Sequence, residues 1–296
     1  MSNSITVKVV LRVVVLLAVV IGAGAWFIAR EQGRILQSQL LHRGQMDALI
    51  GAKAYGSVLE EAIDNGTLTI KDAFDTAYEI IPGFDPPKYH TKYDSYLDKA
   101  ILAVQDEILK DDSVVYAVGV DVNGYLPTHN TRYQQPITGD KQKDLVGNRT
   151  KRMFTDPVGI KAAKNTEFGY LQIYNRDTGE TMWDISAPIM VKGKHWGGFR
   201  IGFSLAKTDE AKNDLMVSLA ITMGALLVIA AIVTGLAVAA SLKPLKELTS
   251  VASDLADGKV ENEILVRSND EIGRLADVLE RLRVSLKAAM DRLARK

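Results

Sequence analysis

Two uncharged apolar blocks fix the organisation of this chain before any other feature is considered. Val13 to Ala29 (VVVLLAVVIGAGAWFIA) holds seventeen residues without a charge. The count rises to twenty-one if it starts at Val9 and passes Arg12, whose guanidinium can snorkel to an interface. Leu215 to Leu242 holds twenty-eight uncharged residues. A hydrocarbon core about 30 Å thick needs roughly 17–25 helical residues, so each block is long enough to cross one. The first block also contains Ala23-Gly24-Ala25, the small-residue pattern of a signal-peptide cleavage site. Against cleavage, the apolar run continues through Trp26, Phe27 and Ile28, and Trp26-Phe27 suits an interfacial aromatic belt.

Basic residues set the expected orientation. Lys8 and Arg12 precede the first block, and Lys243 and Lys246 follow the second, whereas Asp209, Glu210 and Asp214 stand before the second. The positive-inside rule then places both termini in the cytoplasm, as in a multi-pass membrane protein. The expected divisions are a tail (1–12), a first span (13–29), an extracytoplasmic domain (30–214), a second span (215–242) and a cytoplasmic segment (243–296). Basic and acidic residues balance at 36 each, which argues against a nucleic-acid partner. Cysteine is absent, so disulfides, thiolate metal sites and covalent c-type haem attachment are excluded.

The cytoplasmic segment carries the strongest local pattern. Pro244 is expected at the start of a new helix, where its missing N–H costs least. Leu245, Leu248, Ala252 and Leu255 follow at 3-4-3 spacing, and Gly258 is expected to end that helix. A connector with Val260, Ile264 and Val266 leads to a second helix opening at Asn269 or Asp270. Its apolar positions, Ile272, Leu275, Leu279, Leu282, Leu286, Ala289 and Leu293, alternate three and four apart, a coiled-coil seam. Two such narrow seams cannot bury themselves alone. A homodimer forming a parallel four-helix bundle is therefore expected. The segment resembles the HAMP domain of bacterial receptors through Pro244, Leu-Ala-Asp-Gly at 255–258 and Asp270-Glu271-Ile272-Gly273. That resemblance implies a relay through Pro244, Leu248, Gly258, Glu271, Ile272, Leu275 and Leu279. Within it, Glu271 would bond near the start of the first helix and tie the two helices together.

Between the blocks, residues 30–65 read as a long helix with an apolar stripe of Leu36, Leu40, Met46, Leu49, Ile50, Val58 and Leu59. The Pro/Gly-rich stretch 80–91 reads as loop, and 94–110 returns to helical periodicity. Five strands are then expected: 113–121, 125–129 across the Asn123-Gly124 hairpin signal, 169–175, 181–191 and 196–205. RDTGE and KGKH supply turns, residues 130–156 are polar and turn-prone, and a short helix is expected near 157–165. This is the outline of a five-stranded antiparallel Cache or PAS-like sheet behind a long helix, a membrane α plus α/β class. The domain is similar to the extracytoplasmic domain of a set of bacterial chemoreceptors, in NGYLPTHN (123–130), KDLVGNRTKRMF (143–154), YNRDTGETMWDISAPI (174–189) and HWGGFRIG (195–202).

The resemblance implies a pocket between the sheet and its covering loops. Tyr116, His129, Arg149, Arg152, Tyr170 and Asp184 are the candidate polar residues. Arg149 and Arg152 can fork a carboxylate, and Asp184, mid-strand, is either on an exposed face or a ligand acceptor. Solvated-loop duty is the competing account of the arginines. His90 and His129 are the candidates for non-covalent haem or a metal, although no histidine cluster or HExxH run marks a metal site. The sequence contains no P-loop and no nucleophile elbow, and it ends 23 residues after Gly273, so catalysis is not expected.

Three functional readings follow. One is a receptor of chemotaxis or two-component type, sensing a small molecule and signalling to a separate cytoplasmic protein. A second is a shortened receptor acting by heterodimerisation. A third is a membrane-anchored haem- or metal-binding redox or gas-sensing protein. The basic tail (Arg281, Arg283, Lys287, Arg292, Arg295, Lys296) is expected to touch anionic lipid or an acidic partner.

Overall fold

The structure is a computed structural model that describes residues 5–265 and 269–294. Val266, Arg295 and Lys296 lie outside the described residues. The chain forms two compact units, Arg30–Met216 and the pair Met1–Ala29 with Val217–Lys296.

Helix α1 (Ile5–Asp64) supplies its residues from Arg30 onward to the first of these units. There it covers one face of a sheet. Its buried positions are Gly44, Ala48, Gly51, Ala52, Tyr55, Gly56, Leu59 and Ala62, while Met46 and Ile50 of the expected stripe are exposed. Apart from Tyr55 and Leu59, these buried positions are small residues, because the sheet brings the bulk opposite them. A Cβ on Gly51 would stand 2.2 Å from the Phe199 ring, and one on Gly44 would stand 2.5 Å from Phe203 and Ile185. An apolar-stripe reading cannot see a face whose function is to be flat.

After α1 come α2 (Ile70–Ala73), capped by Thr69, and strands β1 (Glu79–Ile81) and β2 (Lys88–His90). The two strands pair antiparallel, so the stretch expected to be all loop is a hairpin whose ends form a ladder. The helical region 94–110 is two helices, α3 (Asp94–Ala100) and α4 (Leu102–Ile108). β3 (Val114–Asp121), β4 (Tyr125–Leu126), α5 (Lys141–Gly147), β5 (Arg152–Met153) and α6 (Pro157–Ala163) follow, then β6 (Tyr170–Asn175), β7 (Thr181–Val191) and β8 (Lys194–Ser204). Asp140 and Asp156 cap α5 and α6 by accepting from two backbone N–H groups each.

The sheet is four-stranded and antiparallel, in the order β3-β8-β7-β6. The expected fifth strand, 125–129, does not join it. Gly124 turns with φ +83°, and Pro127 interrupts the segment after two residues. Those two pair with Arg152-Met153 instead. At Ala117 the β3 edge is met by side chains: Asn130 Oδ1 accepts the Ala117 N–H at 3.0 Å, and Gln105 Nε2 donates to its carbonyl at 2.9 Å. Backbone groups left without a strand partner are thereby satisfied.

Strand alternation gives the sheet two different faces. Trp183, Ile185, Ala187, Phe199, Ile201 and Phe203 belong to the core that includes α1. Each such large side chain stabilises the fold by roughly 1.5–3 kcal/mol on burial. Tyr116, Val118, Tyr174 and Met182 belong to a second, smaller cluster with Leu126, Tyr133 and Phe154. β7 and β8 are joined by a two-residue turn, Lys192-Gly193, with φ +50° and +75°. β8 ends at Ser204 and α7 (Leu205–Ala256) begins at the next residue.

In the other unit, the windows that qualify as candidate membrane spans lie in α1 and α7, with no part of either buried in the protein. Pro244 sits inside α7 rather than at the start of a new helix. The ring removes one backbone donor, but the helix continues through it to Ala256. Gly258, at φ +82°, closes α7: its N–H donates to Leu255 at 3.1 Å and that of Lys259 to Asp254 at 2.9 Å, a Schellman arrangement. α8 (Glu271–Ala294) opens on Asp270, whose carboxylate accepts from the N–H of Ile272 at 2.9 Å.

Candidate functional site

The second face of the sheet carries a narrow cavity with about 270 Å3 of atom-free space. β3 contributes Tyr116 and Val118 to its wall, β6 contributes Tyr174, and β8 contributes Arg200. Leu126, His129, Arg149, Phe154 and Arg176, from the covering segments, complete it. Three arginines thus converge on one small space, and each is at most 5% exposed.

Arg200 is neutralised within the sheet. Its Nε and Nη2 donate to Asp184 at 3.1 Å, and Tyr116 donates its hydroxyl to the same carboxylate at 2.9 Å. Burial works against the Arg200 charge, yet Asp184 beside it holds the guanidinium above its ordinary pKa. Burial and the Asp184 charge raise the Tyr116 phenol, which therefore stays protonated. Asp184 is fully buried with its oxygens committed to Arg200 and Tyr116. It is an internal counter-ion rather than an exposed charge or a free ligand acceptor.

Arg149 is also engaged. Its two terminal nitrogens fork Asp177 at 3.1 and 2.8 Å, with Nη1 also donating to the Leu145 carbonyl at 3.1 Å. Asp177, on the turn between β6 and β7, thus occupies the fork that a ligand carboxylate was expected to take. Arg152 lies beside this group but not in the cavity wall, donating to Leu145 at 3.2 Å and stacking on Phe154 at 5.3 Å. Burial and the neighbouring Arg149 charge lower its pKa to about 10, with Asp177 opposing. Arg176 donates to Glu180 at 3.2 Å and lies over the Tyr133 ring at 4.9 Å, while its Nη2 is buried without a partner among the described residues.

His129 is buried, and burial followed by the charges of Arg149, Arg176 and Arg152 pushes its pKa well below the usual value. The imidazole is therefore neutral. Its Nδ1 accepts the Asn130 N–H at 2.8 Å, which leaves the proton on Nε2 as a further donor. His90 belongs to a different network, with Nδ1 3.0 Å from Asp94 and more than half its side chain exposed. Tyr170 is not in the cavity. It lies on β6 under the Lys161 ammonium, at a separate depression beside α6. Of the expected residues, Tyr116, His129 and Arg149 come together at the cavity. Arg176, Arg200 and Tyr174 are there unexpected, although a lone arginine in the apolar run HWGGFRIG carried the same signal that singled out Asp184.

The segment after the second candidate span has its own core of Leu248, Leu255, Val260, Ile264 and Ala276, with Ile272 and Leu279 packed against it. The connector is tied to α8 by side chains. Glu280 accepts the Ile264 N–H at 3.0 Å, and Arg283 donates to the Val260 carbonyl at 2.7 Å and pairs with Glu280 at 2.6 Å. The Arg283 bond, with the Ile264 N–H, holds the Glu280 carboxyl down to about 2. Arg283 and Lys287, two residues of the basic tail expected to touch lipid or an acidic partner, pair with Glu280 and Glu261 of the same chain. Glu271 is exposed in the first turn of α8, and among the described residues no hydrogen bond or ion pair joins it to the first helix. Leu275, Val278, Leu282 and Leu293 point outward, each at least 43% exposed.

Residues 236–294 match the HAMP domain model. The match includes the last part of α7, the connector and α8. Among solved structures, the E. coli DcuS sensor domain is similar to this chain at 21% identity, over 38% of this chain and 72% of that one, with a TM-score of 0.28. No curated protein matches. The HAMP segment follows directly on the second candidate span in one continuous helix.

Proposed function

We propose that this chain is a transmembrane receptor of the inner membrane, with Cache or PAS-like sensing of a small carboxylate outside and HAMP output inside. The observation that carries this reading is the convergence of three buried arginines on one small cavity, two of them paired with carboxylates, Asp177 and Glu180, that are themselves partly exposed. Arg149, Arg176 and Arg200 are buried around it, against one fully buried carboxylate, Asp184. An anion entering there gains the uncommitted Arg176 Nη2 and the His129 Nε2–H, in surroundings where charge-assisted bonds are strong. Arg200 lies on β8, four residues before the last residue of the strand that leads into α7. A ligand that prefers one arrangement of β8 biases the second span and the HAMP segment by no more than its differential affinity for the two arrangements.

The test is thermal unfolding of the full chain in detergent against small carboxylates, amino acids and haem. A ligand at a hundredfold its Kd adds about 2.7 kcal/mol, which is read as a raised midpoint. Arg176→Gln is expected to weaken a carboxylate hit by about tenfold to a hundredfold, the range for a lost hydrogen bond to a charged group. A shift with haem alone would transfer the reading to the redox or gas-sensing class. Catalysis has no part in this proposal.

The working form is a homodimer that signals to a separate cytoplasmic protein. Support comes from the outward row Leu275, Val278, Leu282 and Leu293, which α8 leaves uncovered within its own chain. Leu275→Cys is expected to form a disulfide dimer rapidly in membranes. Ala276→Cys, at a position 2% exposed in the chain's own core, is expected to react slowly. Equal rates at the two positions would remove the seam from the dimer.

A further inference from the structure

Lys88, on β2, and Asp144, on α5, are charges of opposite sign that line one opening away from the arginine cavity. Lys88 is 5% and Asp144 9% exposed, and neither has an opposite charge within 4.0 Å among the described residues. The partners of Lys88 are neutral. Its Nζ donates to Asn148 Oδ1 and, at 2.8 Å, to the Thr150 carbonyl, and it stands 5.3 Å from the centre of the Phe84 ring. Two of the three ammonium N–H donors are thereby used. The partners of Asp144 are neutral too. Its Oδ1 accepts from the Thr138 N–H and hydroxyl at 2.8 Å each, and its Oδ2 accepts from the Gly139 N–H at 2.9 Å. Of roughly four lone-pair positions on a carboxylate, one on Oδ2 stays open. The opening lies between the β1–β2 connection and the segment running from Ile137 into α5. It has about 580 Å3 of atom-free space and apolar walls at Phe84, Pro86 and Ile137. Asp85 and Lys141, at its rim, are exposed and pair with each other at 2.7 Å. Burial, then the charges of Arg152 and Lys151, lower the Lys88 pKa to about 8, which leaves the ammonium the main form at neutral pH. The Thr138 N–H, against burial, holds the Asp144 carboxyl below its ordinary value.

We propose that this opening is a second ligand site, and that it takes an α-amino acid with an apolar side chain. The ligand carboxylate accepts the third Lys88 N–H, the ligand ammonium donates to Asp144 Oδ2, and the side chain lies against Phe84, Pro86 and Ile137. Charge complementarity selects the zwitterion. A simple carboxylate would answer Lys88 and set Asp144 against a like charge, and a simple amine would do the reverse. A ligand with both signs gives each buried charge its missing partner, in surroundings where charge-assisted hydrogen bonds are strong. The site also touches the arginine cavity through the backbone. Lys88 holds Asn148 and Thr150, and the residue between them is Arg149, part of the cavity wall.

The test is equilibrium dialysis of the full chain, in detergent at neutral pH, against radiolabelled valine, leucine and phenylalanine. Saturable binding of at least one is expected. Its two single-charge analogues, the acid without the amino group and the amine without the carboxyl group, are expected to compete more weakly. The factor is roughly tenfold to a hundredfold, the range for a lost hydrogen bond to a charged group. That comparison uses the wild-type chain, so it stands even where a variant folds poorly. Lys88→Met and Asp144→Asn are each expected to weaken amino-acid binding by a similar factor, with folding followed by circular dichroism. Asp144→Asn is also expected to narrow the gap between the amino acid and its deaminated analogue, which a merely structural loss would not do. Absence of binding by all three amino acids overturns the proposal, as does an analogue that binds as tightly as its parent. Unchanged binding in Lys88→Met would place the amino acid elsewhere and overturn it as well.

Discussion

Asp184→Ala is expected to destabilise the unit Arg30–Met216 by about 3–5 kcal/mol, the usual cost of stranding one partner of a buried ion pair. Asp184 is fully buried and Arg200 is 3% exposed, so the orphaned guanidinium has no water to turn to. The Tyr116 hydroxyl loses its acceptor in the same step. The measurement is the urea midpoint of the full chain in detergent, followed by circular dichroism. Arg200→Met added to Asp184→Ala is expected to recover much of the loss, because the penalty belongs to the uncompensated charge more than to the missing bond. A single variant as stable as wild type would mean that water reaches Arg200, and the cavity would have to be redrawn as open.

Gly197→Ala is expected to cost about 3 kcal/mol, at the upper end of the overpacking range. A Cβ at this position would stand 1.9 Å from the Val120 carbonyl oxygen and 2.7 Å from the Asp121 Cα. Both are backbone atoms of the neighbouring strand, which cannot rotate away as a side chain can. Relief requires β3 and β8 to part at the Asp121–Gly197 pair, next to the turn that Asp121 organises through the N–H groups of Asn123 and Tyr125. Gly193→Ala, in the turn one strand end away, meets no atom within 4 Å and is strained only by its φ of +75°. It therefore separates crowding from backbone strain. A loss at Gly197 no larger than that at Gly193 would mean that the two strands accommodate the added methyl without parting.

Long-period features were legible in the sequence. The two apolar blocks, the Gly258 stop and the Asp270 start are set by patterns that need no knowledge of neighbours. Four of the five expected strands form the sheet, because their alternation or continuous apolarity matches a half-covered or fully covered surface. The fifth does not, because Asn123-Gly124 specifies a turn but not what the chain does after it, and Pro127 ends the segment after two paired residues. The α1 face is legible in part: Leu40, Val58 and Leu59 of the expected stripe pack on the core, whereas its glycines and alanines leave no such signal. Small residues contribute little to an apolar stripe, and only the aromatic rings of β8 reveal why they are needed. At the cavity the pairs Asp184–Arg200 and Asp177–Arg149 become legible only once the strands and turns are in place. Asp184 and Arg200 are sixteen residues apart in sequence and meet through the β7–β8 register, which no local window contains.

The join between Ser204 and Leu205 has a mechanical consequence. A flexible linker of n residues takes up slack of roughly 5–6 Å times the square root of n, so small displacements at one end are lost before they reach the other. Here n is zero, since the strand's last residue is followed by the helix's first. No loop therefore stands between the strand that carries Arg200 and the helix that follows it, so slack of that kind has no place to arise. Inserting even a few glycines there is expected to disconnect the two ends while leaving each of them folded.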